Sequence, residues 1–231
     1  MALIRSVFFL LLWFVWTAVL GIIASPFLLL RKGHPIILSV TRIWAKVTLF
    51  LLRIICGISH EVIGIENLEN EAFLIASKHQ SAWETIFFLC FFKNPVLIIK
   101  KELTKIPIYG WYLYKSSMIV IDRNGGMKTM KTMMQAAKDS ISMRRPVIIF
   151  PEGTRTLPGR RIQYKSGIKF LSDQLGVNVL PIALNSGKYW INKSIIRKPG
   201  VVKVKILPQI KNDDTFLQNL RNIIDGESEA L

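Results

Sequence analysis

Cysteine and histidine are scarce. The 231 residues hold two cysteines, Cys56 and Cys90, and three histidines. Each cysteine sits in an apolar stretch with no second ligand at metal-binding spacing, which excludes a disulfide framework and a cysteine-held metal. Both read as buried, reduced thiols. No metal-ligand cluster is visible, no cofactor is implied, and a chain of this length buries a core without staples. Internal repeats, low-complexity tracts and long linkers are missing after residue 60. A disordered polar chain is excluded too, because hydrophobic residues make up 51% and the mean hydropathy is +0.35.

Acid is in short supply. Fifteen Asp and Glu face 31 Lys and Arg, a net charge of +16. The excess is not in a detachable tail: residues 101–212 carry 21 basic and 5 acidic side chains, while residues 213–231 carry 1 and 5. The partner is therefore anionic, and the distribution does not suit a nucleic-acid arm. No Lys/Arg–aromatic pattern of a nucleic-acid module appears either.

Long apolar runs are present at the start. Val7 to Leu30 carries no charge. As a helix, 24 residues reach about 36 Å, enough for a hydrocarbon core of about 30 Å. The run exceeds the 7–15-residue core of a cleaved leader, and Pro26 should kink or end the helix. Ile36 to Ile58 is also apolar but carries Arg42, Lys46 and Arg53, which at about 100° per residue share one narrow face. That stripe suits an interfacial helix whose cations reach phosphate headgroups; a core helix with one wet face is the alternative. Residues 1–58 read as a two-helix membrane unit. Residues 59–231 read as an α/β domain.

Seven β-rich runs follow: Glu61–Ile65, Phe73–Ser77, Val96–Ile99, Met118–Ile121, Val147–Phe150, Val179–Ala183 and Val201–Leu207. Between several of them lie helical patterns, the clearest from Met127 to Met143, where Met127, Met130, Met133, Met134, Ala137 and Ile141 form a stripe. A last helix is expected from Asp213 or Asp214 to about Asp225. Alternating strands and helices predict a single α/β domain with a largely parallel or mixed central sheet flanked by helices.

Sites in such domains lie beyond the C-terminal ends of the strands. Four runs end in polar clusters, each with a cation: Lys78 to Glu84, Lys100-Lys101-Glu102, Asp122-Arg123-Asn124-Gly125, and Pro151-Glu152-Gly153-Thr154-Arg155. Together they describe a site for a small anion beside a general base. His79 and Glu84 would not share a face on one helix. They meet only if His79 lies in the turn and Glu84 in the first turn of the following helix. The carboxylate would then fix the imidazole tautomer and leave the other nitrogen to take a proton from an alcohol. The alternative is a His–Glu pair in a surface turn.

These clusters resemble the glycerolipid acyltransferases. His79-Gln80-Ser81-Ala82-Trp83-Glu84 resembles the family's His-x-x-x-x-Asp box. Lys100 to Leu103, Ile106 to Trp111 and Met118 to Arg123 resemble its second block. Phe150-Pro151-Glu152-Gly153-Thr154-Arg155 resembles its third, and Val179 to Ala183 its fourth. The likeness spans residues 60–210, with one departure: Glu84 stands where the family has Asp. It implies a membrane-bound enzyme of phospholipid biosynthesis. A fatty acyl group would pass from acyl-CoA or acyl carrier protein to the sn-2 hydroxyl of 1-acylglycerol 3-phosphate (lysophosphatidic acid), forming phosphatidic acid. It also implies contact with membrane lipids. On that reading His79 and Glu84 are catalytic, while Arg123, Arg155 and Lys100 bind phosphate. Glu152 orients an arginine or the glycerol, and Gly153 N–H and Thr154 are donors to the substrate. Another acceptor of the same family (glycerol 3-phosphate, another lyso-phospholipid, an ornithine-type lyso-lipid) is the first alternative. A basic, membrane-tethered, non-enzymatic lipid binder is the second. Neither cysteine lies at a polar strand end, so direct transfer through a ternary complex is expected. The basic body should face the cytoplasm from an inner membrane, because cationic segments resist export.

Overall fold

A computed structural model describes residues 1–68, 74–122 and 125–231. Among them, seven strands form one sheet: β1 (Ile58–Ile63), β2 (Leu74–Ser77), β3 (Val96–Lys100), β4 (Ile119–Ile121), β5 (Val147–Ile149), β6 (Val179–Leu184) and β7 (Gly200–Ile206). The spatial order is β1-β7-β6-β2-β5-β3-β4. Every neighbouring pair is parallel except β6 with β7, which run antiparallel through Ile182–Ile206 and Leu184–Val204. Strands β2 to β6 therefore deliver their C-terminal ends to one edge. The expected mixed, largely parallel α/β sheet is present. Phe73, expected to open the second strand, lies outside the described residues, as do Arg123 and Asn124.

The central strands β2, β3, β5 and β6 are buried on both faces, as their continuous Val, Ile and Leu content requires, while β1 and β7 keep one face partly exposed. Alternation of side chains divides the core in two. Ile75, Leu97, Ile148, Leu180 and Val204 face one layer. That layer holds α1 (Ala2–Ile23), α2 (Pro35–Leu51), α3 (Trp83–Phe91) and α4 (Tyr109–Lys115). Leu74, Ala76, Val96, Val147 and Val179 face the other. There α5 (Gly126–Ser142), α6 (Gly167–Leu175) and α7 (Phe216–Ala230) pack through Met133, Ala137, Ile168, Leu171, Phe216, Leu220 and Ile224. Met127 is the exception in the methionine stripe: it lies 73% exposed at the start of α5. Helix α7 runs past the expected end at Asp225, because Asp225 is a buried residue on its inner face.

Helix α1 stops at Ile23, earlier than the apolar run does. A 3₁₀ turn, Ser25–Leu29, follows with Pro26 inside it. Its 22 residues still span about 33 Å. Only Ser6, Phe9 and Gly21 of α1 are buried, leaving an exposed face that includes Phe8, Leu11, Phe14, Val15 and Ile22. A Cβ at Gly21 would come within 2.2 Å of Ile108 Cγ2, so only glycine permits that approach. Helix α2 continues as a π turn over Leu52–Cys56 and ends at Gly57, whose φ of +69° suits glycine. Arg42 is half-buried, while Lys46 and Arg53 are exposed. Trp44 is buried. Its Nε1–H donates to Thr17 Oγ1 at 3.0 Å, and its carbonyl accepts Trp16 Nε1–H at 3.3 Å. Phe9, Trp44, Ala45 and Leu52 belong to the same hydrophobic cluster as Trp83, Phe88 and Ile148, so the helix pair and the sheet share one core.

Candidate active site

The chain turns sharply after β2. Lys78 N–H still bonds Ile182 O of β6, at 3.0 Å. His79, Gln80 and Ser81 then form the turn, and α3 starts at Trp83. Glu84 thus falls in the first helical turn, where a negative charge is favoured by the helix dipole. His79 and Glu84 meet: Nδ1 lies 2.8 Å from Glu84 Oε1.

The Glu84 carboxylate has no exposed surface and accepts five hydrogen bonds. Oε1 takes His79 Nδ1 and the N–H groups of Gln80 and Ser81, each at 2.7 Å. Oε2 takes Ser81 Oγ at 2.8 Å and Ser186 Oγ at 2.6 Å. Burial pushes its pKa up, but the bond and charge of His79, the Ser186 hydroxyl and the Ser81 N–H outweigh it and hold Glu84 below 4.5. An ionised Glu84 accepts from Nδ1, so Nδ1 carries the proton and Nε2 keeps its lone pair. The imidazole lies flat on Phe150, with ring centroids 4.0 Å apart. The His79 side chain is 14% exposed at the strand edge.

A second buried cluster lies behind the turn. Lys78 Nζ sits 2.6 Å from Glu152 Oε1 and 2.7 Å from Asp225 Oδ1, all three residues at most 3% exposed. Glu152 Oε2 accepts the backbone N–H of His79 at 2.6 Å. Thr156 joins Glu152 Oε1 through its hydroxyl and His79 O through its N–H, at 2.5 and 2.8 Å. Tyr164 OH reaches Asp225 Oδ1 at 3.2 Å. Burial pushes the Glu152 carboxyl up; Lys78, Thr156 and the His79 N–H offset it only in part.

Two expected roles change here. Among the described residues Glu152 pairs with no arginine; it is spent on Lys78, Thr156 and the His79 backbone. Gly153, at φ +68°, donates its N–H to Phe150 O at 2.9 Å, so that N–H is closed inside a turn and unavailable to an oxyanion. Lys78, counted with the strand-end cations, points inward and offers nothing to a substrate. Thr154 and Arg155 are exposed in the loop after β5, and Lys100 is exposed at the end of β3. Arg155 lies close enough to act on the hydroxyl of half-buried Tyr109, whose pKa is raised by burial and drawn back by Arg155. Arg123 falls outside the described residues. Among those residues no group of His, Cys, Asp and Glu could hold a metal.

Sequence reasoning missed Ser186, Asp225, Thr156 and Tyr164. Asn185-Ser186-Gly187 stands at a strand end, as the other clusters do, which was a usable signal. Gln80 Oε1 accepts Gly187 N–H at 2.9 Å and ties the two turns together. Asp225 offered no signal, since it reaches Lys78 across 147 positions.

Known proteins share this sequence pattern and this fold. Residues 59–185 match the family described as Acyltransferase. The 1-acyl-sn-glycerol-3-phosphate acyltransferase of Pseudomonas aeruginosa is 35% identical over 209 residues, covering 89% of this chain and 80% of the relative. The protein of the same name from Helicobacter pylori is 34% identical over 142 residues, 60% of this chain and 59% of its own. The crystal structure of the 1-acyl-sn-glycerophosphate acyltransferase of Thermotoga maritima has the same fold: TM-score 0.78 and 21% identity, covering all of this chain and 97% of that one. The chain belongs to the Acyltransferase family.

Proposed function

We propose that the protein transfers a fatty acyl group from a thioester donor, acyl-CoA or acyl carrier protein, to the sn-2 hydroxyl of 1-acylglycerol 3-phosphate, producing phosphatidic acid. The observation that carries this reading is the 2.8 Å bond from His79 Nδ1 to a fully buried, ionised Glu84. It leaves Nε2 basic and open at the strand edge. Nε2 removes the hydroxyl proton as the oxygen attacks the thioester carbonyl. Glu84 stabilises the imidazolium that forms. When the C–S bond breaks, the proton passes to the departing thiolate. The acceptor phosphate needs cations that are not already paired, and Arg155 and Lys100 have no acidic partner among the described residues. Arg123 is assigned with them from its place in the motif. Thr154, exposed beside them, supplies a hydroxyl donor to the acceptor.

The reaction passes through a ternary complex. Cys56 is buried, and the Ser81 hydroxyl is buried and committed to Glu84 and Ser186. Neither serves as an acyl-enzyme nucleophile. Helices α1 and Pro35–Cys56 are each long and apolar enough to cross a membrane. The broad apolar face of α1 supports membrane attachment, with the basic α/β body on the cytoplasmic side. The test is an assay of the full chain in detergent micelles with a thioester donor and a panel of acceptors: 1-acylglycerol 3-phosphate, glycerol 3-phosphate and neutral lyso-lipids. Turnover confined to glycerol 3-phosphate or a neutral lyso-lipid would reassign the acceptor. No turnover with any would refute the enzyme.

A further inference from the structure

A second cationic site lies away from His79. A groove of about 700 Å³ opens between the C-terminal half of α2, the outer face of α3 and the start of β1. Lys46, Arg53 and His60 line it, with Phe50, Phe87 and Phe91 as its apolar wall. No acidic side chain is among the lining residues. Arg42 flanks it: burial pushes the Cys90 thiol in the groove up to about 11 against the pull of Arg42 and Lys46, so both cations stand beside that thiol. Arg42 Nε is buried without a hydrogen-bond partner. Among the described residues, Arg42, Lys46 and Arg53 join no ion pair.

Lys46 and Arg53, the two cations that line the hollow, repel each other unless an anion lies between them. The same groove carries an amphiphile's other requirement. Phe50 is 60% exposed, and Ile54, one turn on, is 61% exposed. These two continue the wall outward along the apolar face of α2. A soluble anion would make no use of that apolar extension. A lipid uses both halves, with its phosphate between Lys46 and Arg53 and its acyl chains along Phe50 and Ile54.

We infer that this groove binds the headgroup of an anionic glycerophospholipid of the surrounding bilayer, at a site separate from the acyl-transfer site. The separation is visible in α3 itself. Phe88 turns toward Phe150, at 6.3 Å, which carries His79. Phe87 and Phe91 stack on each other at 5.0 Å on the groove side. A lipid held there clasps α2 against the helix that carries Glu84. The inference rests on the membrane attachment proposed above.

The test is flotation of the purified full chain with vesicles of phosphatidylcholine alone or with one-fifth phosphatidylglycerol. Because the whole chain is basic, the control must remove equal charge elsewhere. Lys46→Gln/Arg53→Gln is therefore compared with Lys131→Gln/Lys138→Gln on the exposed face of α5. All four side chains are solvent-exposed, and retained acyl transfer verifies that each variant is folded. The expected result is that the groove variant loses the preference for phosphatidylglycerol by about tenfold or more, while the α5 variant keeps most of it. Equal loss in both variants would reduce the effect to net charge and overturn the site. So would a preference that survives in the groove variant, or displacement of the chain from phosphatidylglycerol vesicles by micromolar coenzyme A. Flotation with neither vesicle would refute the membrane attachment itself, an outcome distinct from flotation with both and no preference.

Discussion

Glu84→Gln separates charge from geometry at the active site. The amide can keep every bond of the carboxylate. Its oxygen replaces Oε1, which accepts from His79 and two backbone N–H groups. Its NH₂ replaces Oε2 and donates to the Ser81 and Ser186 hydroxyls, which rotate to accept. What is lost is the negative charge under the imidazolium. With Nδ1 2.8 Å from Oε1 the charge centres lie about 4 Å apart, worth about 4 kcal/mol at an effective dielectric of about 20. That is about a thousandfold in kcat, with little change in either KM because Glu84 touches neither substrate. Glu84→Asp tests geometry instead. Retreat by about one C–C bond, 1.5 Å, breaks bonds that now lie at 2.6–2.8 Å. It should be crippled as well, although its charge survives. The assay is thiol release from the thioester donor at saturating acceptor. A Glu84→Gln enzyme within about fivefold of wild type would refute the electrostatic role.

Further outcomes follow from the same geometry. His79→Ala should lose about 10²- to 10⁴-fold in rate, the usual span for a general base; retention of a tenth of the rate would remove His79 from the mechanism. Arg155→Ala should raise the acceptor KM roughly tenfold and the donor KM much less, with Arg155→Lys recovering part of it, because lysine lacks the planar fork; a change confined to the donor KM would move Arg155 to the donor. Lys78→Met strips two buried carboxylates of their cation and should cost about 3–5 kcal/mol in thermal or denaturant unfolding; an unchanged melting temperature would show the acids to be neutral in the native protein. Glu84 has its pKa lowered in the folded state, so its ionised form stabilises the fold above pH 4.5 and that stabilisation is lost as pH falls below it. The melting-temperature difference between wild type and Glu84→Gln should shrink on acidification through that range; a constant difference would contradict the assignment.

Most of the sheet was legible because its strands are short apolar runs closed by polar clusters, and in a parallel sheet those clusters share an edge. The boundaries of α1 and α7 were not. Hydrophobicity continues past Ile23 although Pro26 and the 3₁₀ turn end the α-helix, and an acid at 225 reads as a helix end when its partner is hidden. The direction of a side chain was the least legible property. Lys78 and Arg155 are both strand-end cations in the sequence, yet one is buried and the other exposed. The difference lies in Asp225 and Glu152, which lie far from Lys78 along the chain. The Gly153 N–H was misread because a motif gives residue types and not which donors a turn consumes.

The pairing of Glu152 with Lys78 has a consequence for the chemistry. A Glu–Arg pair inside Phe150–Arg155 would neutralise the arginine best placed to meet a phosphate, and a dianionic headgroup would have to compete with a carboxylate at the same guanidinium. The fold avoids this by layering. Glu84, Glu152 and Asp225 are all at most 1% exposed and face inward, paired with His79, with Lys78 and with hydroxyl and backbone donors, Asp225 through Oδ1 alone. Lys100 and Arg155 stand outside them, exposed at the same sheet edge. The acids thus set the tautomer of His79 and the course of its backbone without cancelling the outer positive field. In the proposed reaction, an anionic acceptor is drawn to that outer layer and meets, beyond it, an imidazole whose free nitrogen is already a base.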